Sequence, residues 1–164
     1  MILKIQTGQN NPILRKKSQP VEKINAEILQ LAKDMIEIMI KNNGVGLAAN
    51  QVGKNIRMFV IHPDLIRMGA FGLLKSRRSR DEGALFGCFI NPEIIKISKK
   101  SEILEEGCLS VPGKYLSIKR AKSLKIKAID ENNKQFKLKA KGLLARTIQH
   151  EIDHLNGILI VDYE

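Results

Sequence analysis

The stretch "LARTIQHEIDHLNGILI" at residues 144–160 places two histidines four positions apart, with a glutamate directly after the first. On an α-helix, residues four apart lie on the same face, so the imidazoles of His150 and His154 can reach one metal ion. The side chain of Glu151 points about 100° away from that of His150, which puts its carboxylate beside the ion rather than on it. This spacing is typical of a two-histidine metal site with a base next to it.

The same stretch predicts one helix over residues 143–156, ended by Gly157 at the usual C-terminal position. A helix that is apolar on more than one side is buried on more than one side. We therefore expect the histidine pair inside the molecule, where a metal ion satisfies the ring nitrogens. The helix carries two apolar stripes, of which the second shares the histidine face: Leu144, Ile148 and Leu155, and then Leu143 and Thr147.

The composition predicts one soluble domain over residues 1–164. With 164 residues, of which 43% are hydrophobic, the chain is long enough for one core and short for two. Its apolar runs are far shorter than the roughly 20 residues of a membrane helix, and we see no export signal. We therefore expect a cytoplasmic protein with reduced Cys88 and Cys108. A formal charge of +11 favours polyanionic surroundings but indicates no reaction.

Apolar periodicity predicts the remaining elements. Residues 25–41 have the spacing of an amphipathic helix, with Asn25 as its N-cap. Two short apolar runs, at 56–61 and 89–98, predict strands, and alternation of apolar residues with lysine within 115–139 predicts a hairpin with one lysine-coated face. The other segments are predicted to be extended or irregular: the start of the chain with Pro12 and Pro20, the glycine-containing loop at 42–53, and a basic segment at 62–88 that includes "KSRRSR".

A third metal ligand is needed, because catalytic ions usually have three protein ligands and one open position. The metzincin pattern places its third histidine six residues after the second, where this chain has Ile160, so that family is excluded. The few residues after the helix are strand-like, which directs the search upstream. The candidates there are His62, Cys88, Cys108 and a carboxylate such as Glu106.

The surroundings of these candidates favour one of the thiols. His62 precedes a proline at the start of the irregular segment and is typical of an exposed loop. Cys88 lies in the apolar "LFGCFI", as a buried structural thiol does. Cys108 lies in "EEGCLSVPG" beside Gly107, which permits close backbone approach, and a thiolate is a strong ligand for a divalent cation.

Three motifs together resemble one family. "GVGLAANQ" at 44–51, "EGCLS" at 106–110 and "QHEIDH" at 149–154 are similar to the signature motifs of peptide deformylases, in the same order. Further similarity covers nearly the whole chain outside 62–88. The resemblance implies an α+β fold, with antiparallel sheets around the central helix that bears the histidines. It also implies a hydrolase that removes the formyl group from the N-terminal formylmethionine of new polypeptides.

The resemblance also implies roles for individual residues. The metal ligands are Cys108, His150 and His154, and Glu151 is the base that moves the protons of the attacking water. Donors to the oxyanion are the side-chain amide of Gln51 and the backbone N–H of Leu109. Substrate contacts are expected from Gly44, Val45, Gly46, Glu106, Gly107, Leu143 and Thr147. Arg146 and Asp153 share another helix face, where they either pair with each other or contact a metal ligand.

The resemblance implies Fe²⁺ as the native metal, although Cys-His-His ligation also suits Zn²⁺ or another divalent ion. N-formylmethionyl nascent peptides are the expected substrates, with transient ribosome association and without membrane or sequence-specific nucleic-acid binding. The segment at 62–88 is longer than the family pattern, and the chain stops without the trailing helix of many members. Two alternatives are a metallopeptidase of other specificity and a non-catalytic ribosome- or RNA-binding module.

Overall fold

The computed structural model describes residues 3–71 and 87–164, so "KSRRSR" at 75–80 lies outside the described residues. These residues form four α-helices: Pro12–Arg15 (α1), Ala26–Lys41 (α2), Pro63–Gly69 (α3) and Gly142–Leu155 (α4). They also form eight strands: Gly46–Ala48 (β1), Met58–Ile61 (β2), Ala70–Phe71 (β3), Cys88–Ile97 (β4), Ser101–Gly107 (β5), Tyr115–Ala121 (β6), Ser123–Ile129 (β7) and Gln135–Lys141 (β8). Two 3-10 helices span Ala49–Val52 and Ile160–Tyr163.

The strands form two antiparallel sheets. The larger has the order β1-β2-β4-β7-β8-β3, and β5 pairs with β6 in a separate two-stranded sheet. The β7–β8 hairpin has the predicted lysine-coated face, with Lys125 opposite Lys139. The first part of the alternating stretch at 115–139 does not belong to that hairpin, because β6 pairs with β5. Together with α2 and α4, these sheets give the α+β fold that the sequence predicts.

Helix α4 lies at the centre of the molecule because its apolar stripe packs against the inner face of the larger sheet. The residues of this contact are fully or almost fully buried: Leu144, Ala145, Ile148 and Leu155 of α4, with Leu124, Ile126 and Leu138 of the sheet. A second apolar cluster packs α2 against β1 and β2. Burial of each Leu or Ile side chain in the contact between α4 and the sheet contributes about 1.5–3 kcal/mol to the stability of the fold, so the position of α4 is strongly determined.

The ends of the two long helices are as predicted. Oδ1 of Asn25 accepts a hydrogen bond from the backbone N–H of Ile28 at 3.1 Å, which makes it the N-cap of α2. After α4, Gly157 has φ 75°, and a Cβ there would lie 2.3 Å from the carbonyl oxygen of Arg15. Glycine is therefore required at that turn both for its backbone conformation and for space.

Two predictions for the first third of the chain are wrong. The extended start contains α1, because Asn11 accepts a hydrogen bond from the N–H of Ile13 and Pro12 suits the first helical position. The predicted loop at 42–53 contains β1 and a 3-10 helix. The strand β1 forms because its backbone groups pair with β2, with Gly46 opposite Ile61. A pairing between segments this far apart is not apparent from the local sequence.

Two later predictions are also corrected. Residues 62–88 are not irregular throughout, because α3 and β3 occupy their first part and β4 begins at Cys88; residues 72–86 lie outside the described residues. The strand-like end of the chain is a 3-10 helix, in which Oδ2 of Asp162 accepts a hydrogen bond from the N–H of Leu159 at 2.8 Å. Among the described residues, no helix is both long and apolar enough to cross a membrane.

Candidate active site

Three ligand atoms meet where α4 passes the residue that follows β5. The Sγ atom of Cys108 and one ring nitrogen each of His150 and His154 lie within 4.8 Å of one another. Nε2 of His154 is 3.1 Å from Nε2 of His150 and 3.2 Å from Sγ of Cys108. Bonds of about 2.0–2.3 Å to one tetrahedral ion place ligand atoms roughly 3.3–3.6 Å apart. The donor set therefore fits a single small cation after a slight outward adjustment.

The charges around the two histidines suit a cation. Burial, followed by the neighbouring charge of His150, lowers the pKa of His154 well below its usual value, so that ring is neutral and able to bind metal. Burial also opposes charge on His150, but hydrogen bonds with Cys108 and Glu106 outweigh it and raise the pKa of His150 to about 10. The site thus attracts positive charge, which a metal ion supplies in place of that proton.

Glu106 orients His150 through a buried network. One carboxylate oxygen, Oε2, lies 3.1 Å from Nδ1 of His150. Arg120 donates to both oxygens at 2.9 and 3.0 Å, and Arg146 donates to Oε1 at 2.7 Å. Burial alone would raise the pKa of Glu106, yet the hydrogen bonds from His150 and Arg120 lower it to about 2. Since both oxygens are occupied, only the backbone of Glu106 is open for the predicted substrate contact.

The network continues to the 3-10 helix at the end of the chain. Asp153 accepts a hydrogen bond from Arg120 at 2.6 Å and another from the hydroxyl of Tyr163 at 2.7 Å. Arg146 instead binds Glu106 and the carbonyl oxygen of Ile118. Of the two alternatives for Arg146 and Asp153, the structure thus favours contact with residues around the proposed metal ligands, because Arg146 binds Glu106 directly and Asp153 is connected to Glu106 through Arg120.

Glu151 is a buried carboxylate beside the ligand atoms. It is 2% exposed, and within the described part of the chain its Oε2 has no hydrogen-bond partner. Burial raises the pKa of Glu151 to about 7, which suits a group that takes and returns a proton near neutral pH. Its Oε1 lies 2.5 Å from the position of a Cβ on Gly46. The missing side chain of Gly46 therefore leaves the space in which the carboxylate lies.

Gln51 presents its amide nitrogen to the sulfur of Cys108. Its Oε1 accepts a hydrogen bond from the N–H of Ala48 at 2.8 Å, which fixes the orientation of the amide. Its Nε2 then lies 3.1 Å from Oγ of Ser110 and 3.8 Å from Sγ of Cys108. The adjacent Asn50 donates to the carbonyl oxygen of His154 at 2.6 Å, which ties the 3-10 helix to α4. A preorganised donor thus faces the metal position.

These groups line a cavity of about 760 Å³. Apart from the buried His154, all the predicted site residues line it: Gly44, Val45, Gly46, Gln51, Glu106, Gly107, Cys108, Leu109, Leu143, Thr147, His150 and Glu151. Val45 and Leu143 are 44% and 56% exposed, so two apolar side chains remain available to a ligand. The other two candidate ligands lie elsewhere: Cys88 is buried in the α2 cluster, and His62 precedes α3.

Sequence reasoning missed three residues around the site. Arg120, which holds Glu106, lies in the lysine-rich "IKRAK", where charge alone does not distinguish it. Its position two residues after Ile118 was the available signal, because alternate residues of a strand share a face and Ile118 is buried. Ser110 and Asn50 lay inside recognised motifs, but their roles depend on contacts distant in sequence.

Comparisons of the sequence and of the structure with known proteins all find peptide deformylases. The family model described as polypeptide deformylase matches residues 2–163. The chain is 46% identical to peptide deformylase 1 of Clostridium perfringens, over 94% of this chain and 93% of that protein. The solved peptide deformylase of Thermotoga maritima has a TM-score of 0.81 and 35% identity, covering 99% of this chain and 97% of that one. The peptide deformylase of Ehrlichia chaffeensis, solved in complex with actinonin, has a TM-score of 0.82 and 39% identity, covering 99% and 88%.

Proposed function

The chain belongs to the peptide deformylase family, whose members are metal-dependent hydrolases that remove the N-formyl group from nascent peptides, and on that premise we propose which of its residues perform the reaction. Cys108, His150 and His154 hold the metal, Glu151 moves the protons, and Gln51 and Leu109 stabilise the oxyanion. The observation that carries this assignment is the convergence of the three ligand atoms within 4.8 Å beside a buried carboxylate oxygen that lacks a partner among the described residues.

Glu151 acts as the proton carrier. A divalent cation held by Cys108, His150 and His154 would lower the pKa of water and polarise the formyl oxygen. The Glu151 carboxylate accepts a proton from the water that attacks the formyl carbon. It then returns that proton to the amine nitrogen as the carbon–nitrogen bond breaks and formate leaves. Its pKa, raised to about 7 by burial, matches both halves of this exchange.

Gln51 and Leu109 stabilise the negative charge that forms on the formyl oxygen. The backbone N–H of Ala48 donates a hydrogen bond to Oε1 of Gln51, which fixes the amide, so its N–H groups need no reorganisation during the reaction. Leu109 follows Cys108 and lines the same cavity, where its backbone N–H is the second donor. Donors of this kind each contribute about 10²–10³-fold to the rate in other hydrolases.

The substrate enters as an extended peptide. Gly44, Gly46 and Gly107 line the cavity, where the backbone of the substrate pairs as an added strand. The methionine side chain contacts Val45, Leu143 and Thr147. Thr147 is suited to an apolar contact because its hydroxyl is already donated to the carbonyl oxygen of Leu143, at 2.9 Å.

We assign Fe²⁺ as the working metal, with Zn²⁺ or another divalent ion as a substitute. Histidine and thiolate ligands suit both ions, so the assignment rests on the family and not on the ligand set. Because the substrates are new polypeptides, we place the protein in the cytoplasm, as a single catalytic domain in transient association with ribosomes.

Formate release tests this function. Protein prepared without oxygen and loaded with Fe²⁺ or Zn²⁺ is mixed with formyl-Met-Ala-Ser, formyl-Ala-Ala-Ser or unformylated Met-Ala-Ser. We expect rapid formate release from the first peptide with iron, slower release with zinc, and much less from the alanine analogue. Cleavage of unformylated peptides would support a metallopeptidase, and metal-loaded, folded protein without any turnover would contradict the enzymatic assignment.

A further inference from the structure

The outer face of the larger sheet is lined with lysines. Cross-strand pairing puts Lys96 opposite Lys125 and Lys125 opposite Lys139, so three lysines lie side by side on β4, β7 and β8. In the adjacent row Lys127 lies opposite Lys137. We call these five residues the lysine face. Directly paired residues project from the same side of a sheet, so the five ammonium groups share one surface.

This surface has little compensating negative charge. Strands β7 and β8 contain no Asp or Glu, and Glu93 of β4 pairs with Lys127 at 2.9 Å. Within residues 3–71 and 87–164, Lys96, Lys125, Lys137 and Lys139 form no ion pair with a carboxylate. Side chains directly opposite each other have Cβ atoms only about 4.5–5.5 Å apart, and like charges at that distance are destabilising. The arrangement thus costs stability in the free protein.

Protection of a sheet edge does not explain the lysine face. Exposed edge strands use lysine to prevent pairing with other chains. Strand β7, however, has β4 on one side and β8 on the other, so Lys125 and Lys127 lie on an interior strand. A groove of about 520 Å³ also crosses this part of the sheet, and its lining combines lysines and serines with apolar residues such as Ile97. The interior position of the lysines therefore needs another explanation, and their uncompensated charge favours an anionic ligand.

We propose that the lysine face binds the phosphate backbone of structured RNA. Rows of lysines on neighbouring strands, whose backbones lie about 4.8 Å apart, offer a series of ammonium groups to successive phosphates. Ammonium groups bind phosphates without distinguishing the bases, so the contact reads charge and not sequence. Membrane insertion also needs several large apolar side chains next to the lysines, and on the described residues of β4, β7 and β8 only Ile95 and Ile97 are exposed large apolar residues.

The position of the face leaves the active site open. The opposite side of β7 and β8 packs against α4, and none of the five lysines lines the active-site cavity. The protein can therefore hold RNA on one side while a peptide enters on the other. This inference rests on the proposed function, because substrates that emerge from a ribosome emerge beside structured RNA.

The test compares two triple variants of equal charge. Lys125→Gln, Lys137→Gln and Lys139→Gln neutralise the face, while Lys23→Gln, Lys33→Gln and Lys41→Gln remove the same charge near and on α2. Binding to a duplex RNA of about 20 base pairs is measured at several salt concentrations. We expect at least a tenfold higher Kd for the face variant at low salt and a log–log salt slope smaller by roughly 3, about one per lost phosphate contact. The α2 variant should bind nearly like the wild type.

Formate release and unfolding are measured on the same proteins. Both variants should keep wild-type turnover, and the face variant should be at least as stable as the wild type because like charges are removed. Equal loss of RNA binding in both variants would overturn the inference in favour of net charge alone, and binding to phosphatidylserine vesicles but not to RNA would overturn it in favour of a membrane. Wild-type protein without formate release would refute the proposed function, whatever its RNA binding.

Discussion

Oε2 of Glu106 lies 3.1 Å from Nδ1 of His150, and Nε2 of the same ring lies 3.1 Å from Nε2 of His154. The carboxylate thus fixes which nitrogen of His150 is left for the proposed metal ion. Because Arg120 holds the carboxylate at two points, the orientation of this proposed ligand depends on a strand of the smaller sheet.

Glu106→Gln should weaken both folding and metal binding. The change leaves the buried Arg146 without its carboxylate partner and Arg120 with Asp153 alone, so the free energy of unfolding should fall by about 3–5 kcal/mol. Loss of the partner of His150 should weaken metal affinity about 10–100-fold. Urea unfolding and metal competition measure the two effects.

Glu102→Gln is the matched control for this change. Glu102 also lies on β5, but its carboxylate forms a long ion pair, 3.9 Å, with the exposed Lys122. Surface pairs of this kind contribute about 0–1 kcal/mol. If both variants unfolded alike and bound metal alike, the orienting role of Glu106 would be wrong.

The two thiols should differ in reactivity. Cys88 is 3% exposed, and burial raises its pKa to about 12, so its sulfur remains a protonated thiol. Cys108 is only partly buried and lines the cavity. Iodoacetamide should therefore modify the metal-free protein once, at Cys108, and zinc should block that reaction. Peptide mass mapping gives the result, and modification of Cys108 at an equal rate with and without zinc would argue against metal ligation.

Gly46→Ala should reduce activity while the fold survives. The new Cβ would lie 2.5 Å from Oε1 of Glu151 and 2.8 Å from Cγ2 of Thr147, so the carboxylate must move. Displacement of a catalytic group by about 1 Å can lower the rate about 100-fold. Gly44→Ala should cost less, because its Cβ would meet the flexible end of Leu109 at 3.0 Å. Equal kcat/KM for the two variants would contradict this ranking.

Gln51→Glu should lower kcat with little change in KM. The new side chain keeps an oxygen for the N–H of Ala48 but loses the donor that faces Cys108. Removal of one oxyanion donor costs about 10²–10³ in kcat. Gln9→Glu makes the same chemical change at an exposed position away from the cavity and should leave kcat unaltered. Loss of substrate affinity alone would assign Gln51 to binding instead.

The site was largely predictable because its key residues lie close together in sequence. The four-residue spacing of His150 and His154 depends only on helix geometry, and α4 has that geometry. Caps are equally local, which explains why Asn25 and Gly157 were identified correctly. The surroundings of Cys108 favoured it as the third ligand, but its role beside the histidines was implied only by the family motifs, since His150 lies 42 positions further along the chain (150 − 108).

The errors have identifiable physical causes. Two residues favour helix α3 locally: Pro63 at its first position and Asp64 in its first turn. The sequence prediction missed the helix because it treated residues 62–88 as one irregular basic segment. Strand β1 depends on pairing with β2, and the 3-10 helix after α4 depends on the contact of Asp162 with Arg15. Arg120 has its role only because β6 pairs with β5 and brings its side chain to Glu106, and pairing of that kind is not encoded in local sequence.

The measurement that tests the central claim most directly is formate release from formyl-Met-Ala-Ser by iron-loaded wild type and Glu151→Gln, with metal content determined on the same samples. Glu37→Gln on the exposed side of α2 serves as the control. If Glu151 carries the proton, its variant should bind iron fully and yet turn over about 10²–10⁴-fold more slowly, while the control matches the wild type. Wild-type turnover by the fully loaded Glu151→Gln protein would contradict the account.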